Sequence, residues 1–211
     1  MGMPVIIYGK SGSGKSRSLK NFAKDEIALI NVEGKDLPFK GKGFDLTMNE
    51  VSFASVAIQA LKKLPENIKT IVIDDAGYLM SHYFMANHRN MKGNAQFDMY
   101  NQIGDDMCEL VKAIKAMPRD VIVYLIFHED TNEQTGETKI FTIGKLLDQK
   151  ANLVGMVTIC LRCMSSEGKH FFRTVTDGSD VTKAPEEMFE ADEIDNDLKT
   201  VDVAIRKYYE M

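Results

Sequence analysis

Short apolar runs along the chain alternate with longer segments of helical periodicity. Six runs rich in valine and isoleucine have the length of β-strands, at residues 5–8, 27–32, 70–73, 121–127, 156–161 and 170–175. Between the first four runs, apolar residues recur three or four positions apart at 51–61 and 103–114, and Pro65 and Pro118 end these segments. Strands that alternate with helices predict parallel βαβ units. The pattern therefore predicts an α/β fold with a mostly parallel sheet and helices on both faces.

The pattern changes after residue 127. Residues 128–142 are polar and contain a Thr135-Gly136 turn signal, which predicts a protruding hairpin or a mobile loop. The last two apolar runs are separated by residues 165–168, a turn sequence that predicts an antiparallel hairpin at the sheet edge. A final helix is predicted over 198–209. With 211 residues the chain is long enough for one α/β core, so we expect a single domain spanning 1–211.

The first apolar run leads into the segment Gly9-Lys10-Ser11-Gly12-Ser13-Gly14-Lys15-Ser16. Its glycines can adopt positive φ and so turn successive backbone N–H groups towards phosphate oxygens. Lys15 adds a mobile positive charge, Ser16 can ligate Mg²⁺, and a helix predicted over 16–24 directs its N-terminus at the same phosphates. A preceding strand and a following helix distinguish this segment from a chance glycine-rich turn. It predicts a nucleoside triphosphate site.

Polar residues follow three other predicted strands. Asp74 ends the apolar run 70–73 in the pattern of a Walker B element and is predicted to hold Mg²⁺ directly or through water, the alternative being a strand-end turn residue. Glu33 ends the second run and is predicted to act as the general base, with Asp75 as its competitor. His128 ends the fourth run, where an imidazole can hydrogen-bond the γ-phosphate or the attacking water. A lone histidine is usually structural, but its place at a strand end favours this sensor role.

In their order and spacing, these elements resemble the core of the RecA-type ATPases. Members of that family have a P-loop, a glutamate at the end of the next strand, a Walker B aspartate and a polar sensor, usually glutamine, before a DNA-binding loop. The sequence matches this arrangement at Glu33 and Asp74 and has His128 in place of the glutamine, ahead of residues 129–145. The resemblance implies a RecA-like P-loop NTPase core that binds ATP and Mg²⁺ and hydrolyses ATP.

Later parts of the chain are similar to the compact, single-domain RecA-like ATPases of bacteriophages, which are considered recombination or single-strand annealing proteins. The phrases that carry this similarity lie at residues 127–129, 143–147, 183–185, 188–189, 194–198 and 204–209. The similarity implies a homo-oligomer with ATP between subunits and single-stranded DNA held by two loops. It also implies that basic residues reach the nucleotide from a neighbouring subunit. The candidates for that role are Arg162, Lys169, Arg173 and Lys183.

The DNA contacts implied by this similarity are sought in two basic segments. Residues 77–96 contain no acidic residue and mix basic with aromatic side chains, including Tyr83 and Phe84, as a single-strand-binding loop would. The candidate contacts are Arg89 and Lys92 in this segment, and Lys139 and Lys145 at the second predicted loop. A surface loop with ordinary solvated charges explains the same residues, and this alternative stays open.

Composition restricts the classes of protein that need to be considered. The formal net charge of −5 argues against a surface covered in nucleic-acid-binding charge. The three cysteines disfavour a disulfide framework, and the Cys160/Cys163 pair is interpreted as ordinary strand cysteines. No apolar run approaches the roughly 20 residues that span a bilayer, and no signal peptide is recognised. We therefore expect a soluble cytoplasmic protein, in the host cytoplasm if phage-encoded, with no membrane partner.

Two other functions use the same P-loop. A small-molecule kinase usually closes an arginine-bearing lid over the transferred phosphate, and residues 129–150 contain no arginine. A slowly hydrolysing nucleotide-binding scaffold would use the acidic segment 186–197 as a partner contact. A GTPase is disfavoured because the Asn/Thr-Lys-x-Asp guanine-binding motif is missing from the sequence.

Overall fold

The computed structural model of the chain describes residues 1–41, 43–90, 93–144, 147 and 152–211. Within these residues nine strands form one sheet. The strands are β1 (Met3–Gly9), β2 (Ile27–Asn31), β3 (Leu46–Asn49), β4 (Thr70–Asp74), β5 (Ile122–Thr131), β6 (Thr138–Ile140), β7 (Ile159–Ser166), β8 (Lys169–Arg173) and β9 (Glu193–Asp195). The helices are α1 (Ala54–Lys63), α2 (Tyr78–Asn87), α3 (Asn94–Lys115) and α4 (Leu198–Tyr208). Short 3₁₀ helices cover Ser16–Asn21, His88–Asn90 and Leu153–Met156.

The order of the strands is β3-β2-β4-β5-β1-β7-β8-β9, with β6 paired to β5. All neighbours from β3 to β7 are parallel, whereas β7–β8, β8–β9 and β5–β6 are antiparallel. This confirms the predicted mostly parallel sheet with an antiparallel hairpin at its edge. Because β5 lies between β1 and β4, the strand that leads into the glycine-rich loop is next to the strand that carries His128.

Helices cover both faces of the sheet, as the sequence predicts. In β1, Ile6 and Tyr8 pack into the core under α1, α2 and α3, while Val5 and Ile7 pack into the core under α4 and the Ser16–Asn21 helix. This alternation follows from the period of two along a strand. Strands buried on both faces are apolar throughout, which is why the sequence shows them as continuous apolar runs.

The C-terminal helix is fixed to the sheet by a buried polar cluster around Asp202. The Asp202 carboxylate accepts hydrogen bonds from Tyr124 at 3.0 Å, Thr70 at 3.1 Å and Arg206 at 2.6 Å. Burial raises the pKa of Tyr124 far above its ordinary value, so its hydroxyl remains a donor.

None of the described helices is both long and apolar enough to cross a membrane.

Some elements differ from the prediction. The helix expected over 16–24 is a short 3₁₀ helix that ends at Asn21. Within it, the Ser18 hydroxyl donates a hydrogen bond to the Lys15 carbonyl oxygen, and such side-chain bonds compete with the regular hydrogen bonds of an α-helix. The edge strand β3 was not predicted, because its apolar residues are few and only half-buried. The acid-free segment interpreted as a loop contains the helix α2. The hairpin predicted within 128–142 is formed by β5 and β6.

Candidate active site

The candidate site lies where the carboxyl ends of the parallel strands meet, the usual place for a ligand in such sheets. The strand register aligns these ends. Gly9 at the end of β1 pairs with His128 on β5, and Asn31 at the end of β2 pairs with Asp74 at the end of β4. The polar residues that follow separate apolar runs in the sequence are therefore brought to one edge of the sheet.

The glycine-rich loop after β1 has the backbone that its sequence predicts. Gly12 and Gly14 adopt φ values of 77° and 107°, in the left-handed region that favours glycine. Gly9 is required for a different reason, since a Cβ there would lie 2.2 Å from the Cys163 carbonyl oxygen on β7. The loop therefore combines a turning backbone with close packing against the neighbouring strand.

Lys15 is buried at the end of this loop, with 6% of its surface exposed. Its Nζ donates hydrogen bonds to the carbonyl oxygens of Gly9 at 2.9 Å and Lys10 at 2.8 Å. Burial lowers the pKa of the ammonium group. An ammonium that is buried and bonded to neutral carbonyls interacts more strongly with an anion than one in solvent. Lys15 is thus a cation suited to a phosphate group.

Ser16 and Asp74 form the hydroxyl–carboxylate pair that the sequence predicts for Mg²⁺. The Ser16 side chain lies next to the buried Asp74 carboxylate. Burial raises the pKa of Asp74 to about 6. Both groups are hard oxygen donors, and Mg²⁺ in proteins is typically held by one or two such side chains together with substrate phosphates. The donor set therefore fits this ion.

Asp75 turns its carboxylate towards the same region because its backbone is unusual. Its φ of 61° lies in the left-handed region, which aspartate tolerates better than most residues. The carboxylate forms an ion pair with Lys35 and lies 3.2 Å from His128 Nε2. Burial alone would raise the pKa of Asp75, but His128 and Lys35 outweigh it, and the pKa lies below its ordinary value.

Glu33 contacts a histidine of its own. Its Oε1 lies 2.7 Å from His82 Nε2 on α2. Tyr78, at the start of α2, links this pair to His128. The centroid of the Tyr78 ring lies 6.2 Å from that of His82 and 5.8 Å from that of His128, and Lys35 Nζ lies 5.5 Å from the same ring centroid. The two carboxylate–histidine pairs therefore share one aromatic neighbour.

A cavity of about 310 Å³ opens over the glycine-rich loop. Its walls include Gly12, Gly14, Lys15, Ser16, Asp75 and His128. Among the described residues Glu33 is not part of these walls. A larger groove of about 820 Å³ lies between the C-terminal ends of α1 and α3, and none of the glycine-rich loop is among the described residues that line it. The structure thus brings Lys15, Ser16, Asp75 and His128 to one cavity, and Glu33 is linked to His128 through His82 and Tyr78.

The edge hairpin supplies site residues that the sequence did not reveal. His170 on β8 lines the cavity, and its Nδ1 lies 2.7 Å from the Ser13 carbonyl oxygen. Cys163 on β7 contacts the same oxygen, and burial raises the pKa of its thiol to about 11. Cys160 and Cys163 are free thiols on opposite faces of β7, in agreement with the interpretation as strand cysteines. The sequence predicted this hairpin at the sheet edge, but no feature of the sequence indicated that it packs on the glycine-rich loop.

Two of the four basic residues proposed to act from a neighbouring subunit are engaged within the chain. Arg162 forms a two-pronged ion pair with Glu129 at 3.0 and 3.2 Å and also pairs with Asp180. Arg173 pairs with Asp177 at 2.8 Å. Lys169 is exposed and Lys183 is half-buried.

The DNA-contact candidates are placed unevenly. Arg89 is exposed on the 3₁₀ helix after α2, and Lys139 lies on β6. Lys92 and Lys145 lie outside the described residues. The aromatic side chains of this segment pack within the protein. The Phe84 ring stacks on His88 at 4.9 Å between centroids, and Tyr83 contacts Phe53 edge-on.

A family model described as an AAA domain (AAA_24) matches residues 1–190. No curated protein sequence matches the chain. Among solved structures, the chain is similar to a prototypical ATPase from the type III secretion system of pathogenic bacteria, with 11% sequence identity and a TM-score of 0.45. The similar region covers 79% of this chain and 52% of that one, so the chain spans about half the length of that structure.

Proposed function

This chain belongs to the AAA domain family of P-loop ATPases, and we propose that it binds Mg²⁺ and ATP, hydrolyses ATP and acts on single-stranded DNA in phage-type recombination or annealing. The observation that carries the nucleotide part is the single cavity shared by Lys15, Ser16, Asp75 and His128. A buried cation, turning glycines and the Asp75 carboxylate in one cavity of about 310 Å³ suit a triphosphate.

Binding follows from the loop and from Lys15. Backbone N–H groups of the loop and the Lys15 ammonium present positive charge to the phosphates. Lys15 Nζ exchanges its two carbonyl partners for phosphate oxygens, which are stronger acceptors because they carry charge. Ser16 and Asp74 would hold Mg²⁺, which when bound neutralises charge on the phosphate oxygens.

For hydrolysis we assign Glu33 as the residue that accepts the proton of the attacking water. Its Oε1 lies 2.7 Å from His82 Nε2, and this contact restricts the orientation of the carboxylate. Asp75 lies on the cavity wall, but His128 and Lys35, which lower its pKa, make it a weaker base. We assign Asp75 the task of holding His128 and Lys35 at the cavity, and His128 the task of sensing the γ-phosphate.

The proposal of a DNA substrate is supported by two exposed side chains, Arg89 and Phe97. Arg89 lies on the 3₁₀ helix after α2, and Phe97, in the first turn of α3, is 72% exposed. An exposed aromatic ring and an exposed positive charge both suit single strands, because bases stack on the ring and the charge attracts the phosphates. Phe97 therefore takes the stacking role first sought in Tyr83 and Phe84, whose rings pack internally.

The substitution Arg89→Glu should weaken binding of single-stranded DNA about tenfold and flatten its dependence on salt concentration. Fluorescence anisotropy of a labelled oligonucleotide measures both effects. Single-stranded DNA should also stimulate ATP turnover by the wild-type chain, and Arg89→Glu should reduce that stimulation.

Lys63→Glu is the matched control, because Lys63 is an exposed residue on α1 and its replacement changes the net charge equally. Equal loss of binding in both variants would mean that only the overall charge matters. Unchanged binding in Arg89→Glu would place the DNA surface elsewhere, and turnover that DNA leaves unaffected would contradict the DNA part of the proposal.

We further propose a homo-oligomer with ATP at the subunit interfaces. With Arg162 and Arg173 engaged in ion pairs within the chain, Lys169 is the exposed candidate to reach a neighbouring nucleotide. Light scattering of the chain with and without ATP tests this arrangement.

A further inference from the structure

One carbonyl oxygen of the glycine-rich loop accepts contacts from both strands of the edge hairpin. The Ser13 oxygen lies 2.7 Å from His170 Nδ1 on β8 and 3.3 Å from Cys163 Sγ on β7. A carbonyl oxygen only accepts hydrogen bonds, so Nδ1 of His170 carries a proton and donates. Two donors from the hairpin therefore fix the direction of this one carbonyl group.

Neighbouring contacts hold the donors in place. Asn196, which follows β9, donates from Nδ2 to Cys163 Sγ at 3.3 Å and accepts from Arg17 through Oδ1. A Cβ added at Gly14 would lie 2.8 Å from His170 Nδ1 and 3.0 Å from Asn196 Oδ1. The hairpin and Asn196 thus pack directly on the loop at Gly14, without space for a larger residue.

Because the peptide group is planar, the direction of the Ser13 carbonyl also fixes the direction of the Gly14 N–H. In a planar trans peptide, the C=O of one residue and the N–H of the next point in opposite directions. The Ser13 carbonyl is directed at the hairpin, so the N–H of Gly14 is directed away from it. Gly14 lines the cavity over the loop, and backbone N–H groups directed into such a cavity are what bind phosphate.

We propose that His170 is a positioning residue for the triphosphate: its bond to Ser13 fixes the peptide between Ser13 and Gly14 with the N–H turned to the phosphate. The inference deepens the proposed nucleotide site and rests on it. Without the His170 donor, the weak thiol donor of Cys163 is the remaining contact to this carbonyl oxygen among the described residues. The peptide is then freer to rotate, and the phosphate loses part of a preorganised contact.

Three variants at residue 170 separate positioning from simple packing. Asparagine places an amide N–H at the same number of bonds from Cβ as Nδ1, so His170→Asn keeps the donor. His170→Phe keeps a ring on β8 but cannot donate a hydrogen bond. His170→Ala removes both the donor and the ring. If the phenylalanine variant does not fold, the alanine variant makes the same comparison.

Calorimetric titration with inorganic tripolyphosphate and with ATP measures the effect. His170→Phe and His170→Ala should bind both ligands about tenfold more weakly, which corresponds to the loss of one hydrogen bond. His170→Asn should stay within about threefold of the wild type. Phosphate affinity equal to the wild type in the phenylalanine or alanine variant, or equally weak in all three, would overturn the proposal.

The variant Lys15→Ala distinguishes failure of this inference from failure of the nucleotide site. If Lys15→Ala loses tripolyphosphate binding while His170→Phe retains it, the site stands and the positioning role is wrong. If Lys15→Ala binds tripolyphosphate as the wild type does, the loop is not the phosphate site and both proposals fail.

Discussion

Replacing Lys15 with alanine should weaken ATP binding at least about 100-fold, measured by isothermal titration calorimetry. The reason is that Lys15 is the buried cation of the loop, and its Nζ is held over the loop by the Gly9 and Lys10 carbonyl oxygens. Removal of this ammonium leaves the phosphates without their main counter-charge in a region where the charge is poorly screened.

Lys10→Ala is the matched control for this experiment. Lys10 belongs to the same loop but is exposed, so its charge is screened by solvent. We expect its replacement to change the ATP affinity by less than about threefold. Tight ATP binding by Lys15→Ala, or an equal loss in both variants, would contradict the assignment of Lys15.

The second large effect is expected in turnover. Glu33→Gln should lower the rate of phosphate release at saturating ATP by about 100-fold or more, because a general base contributes that much, while ATP binding is retained. The substitution keeps the shape of the side chain and removes its ability to accept the proton. Single-turnover phosphate release and calorimetry, performed on the same preparation, separate the two quantities.

Asp75→Asn is the comparison variant. Asparagine also tolerates the left-handed backbone at φ 61°, so this change removes the charge without adding backbone strain. We expect a smaller loss of turnover, caused by misplacement of His128 and Lys35, which Asp75 holds. If Asp75→Asn abolishes turnover with ATP still bound, and Glu33→Gln does not, then Asp75 is the base.

Much of the fold could be predicted because its central strands are buried on both faces and appear in the sequence as uninterrupted apolar runs. The residues that follow these runs could be assigned to one edge for the same reason, since parallel strands bring their carboxyl ends together. The pairing of Gly9 with His128 and the contact of Ser16 with Asp74 are the outcome. The positions of the apolar runs along the chain were sufficient to predict that these residues lie close together.

The orientation of Asp75 could not be predicted in this way. Successive residues of an extended strand point to opposite faces, so a carboxylate directly after Asp74 is expected to point away from it. The left-handed backbone at Asp75 changes that direction and places the carboxylate beside His128. Helix α2 was missed for a related reason, because apolar and aromatic residues occur all around it and leave no periodic apolar stripe.

The contact of the edge hairpin with the glycine-rich loop could not be predicted from the sequence either. His170 and Ser13 are 157 positions apart, and the bond between them depends on β7 pairing with β1. Apolar runs alone do not give the order of the strands, because a hairpin can pair with either edge of the sheet. Cys163 reaches the loop by the same pairing, and Asn196 reaches it through the further pairing of β9 with β8.

The central claim is that the cavity over the glycine-rich loop turns over ATP, and release of inorganic phosphate from Mg²⁺ and ATP tests it most directly. The wild-type chain and Lys15→Ala are measured side by side, with and without a chelator of Mg²⁺. We predict turnover by the wild type that stops when Mg²⁺ is removed and that is missing in Lys15→Ala. Equal phosphate release by both proteins, or no release by the wild type although ATP is bound, would contradict the account.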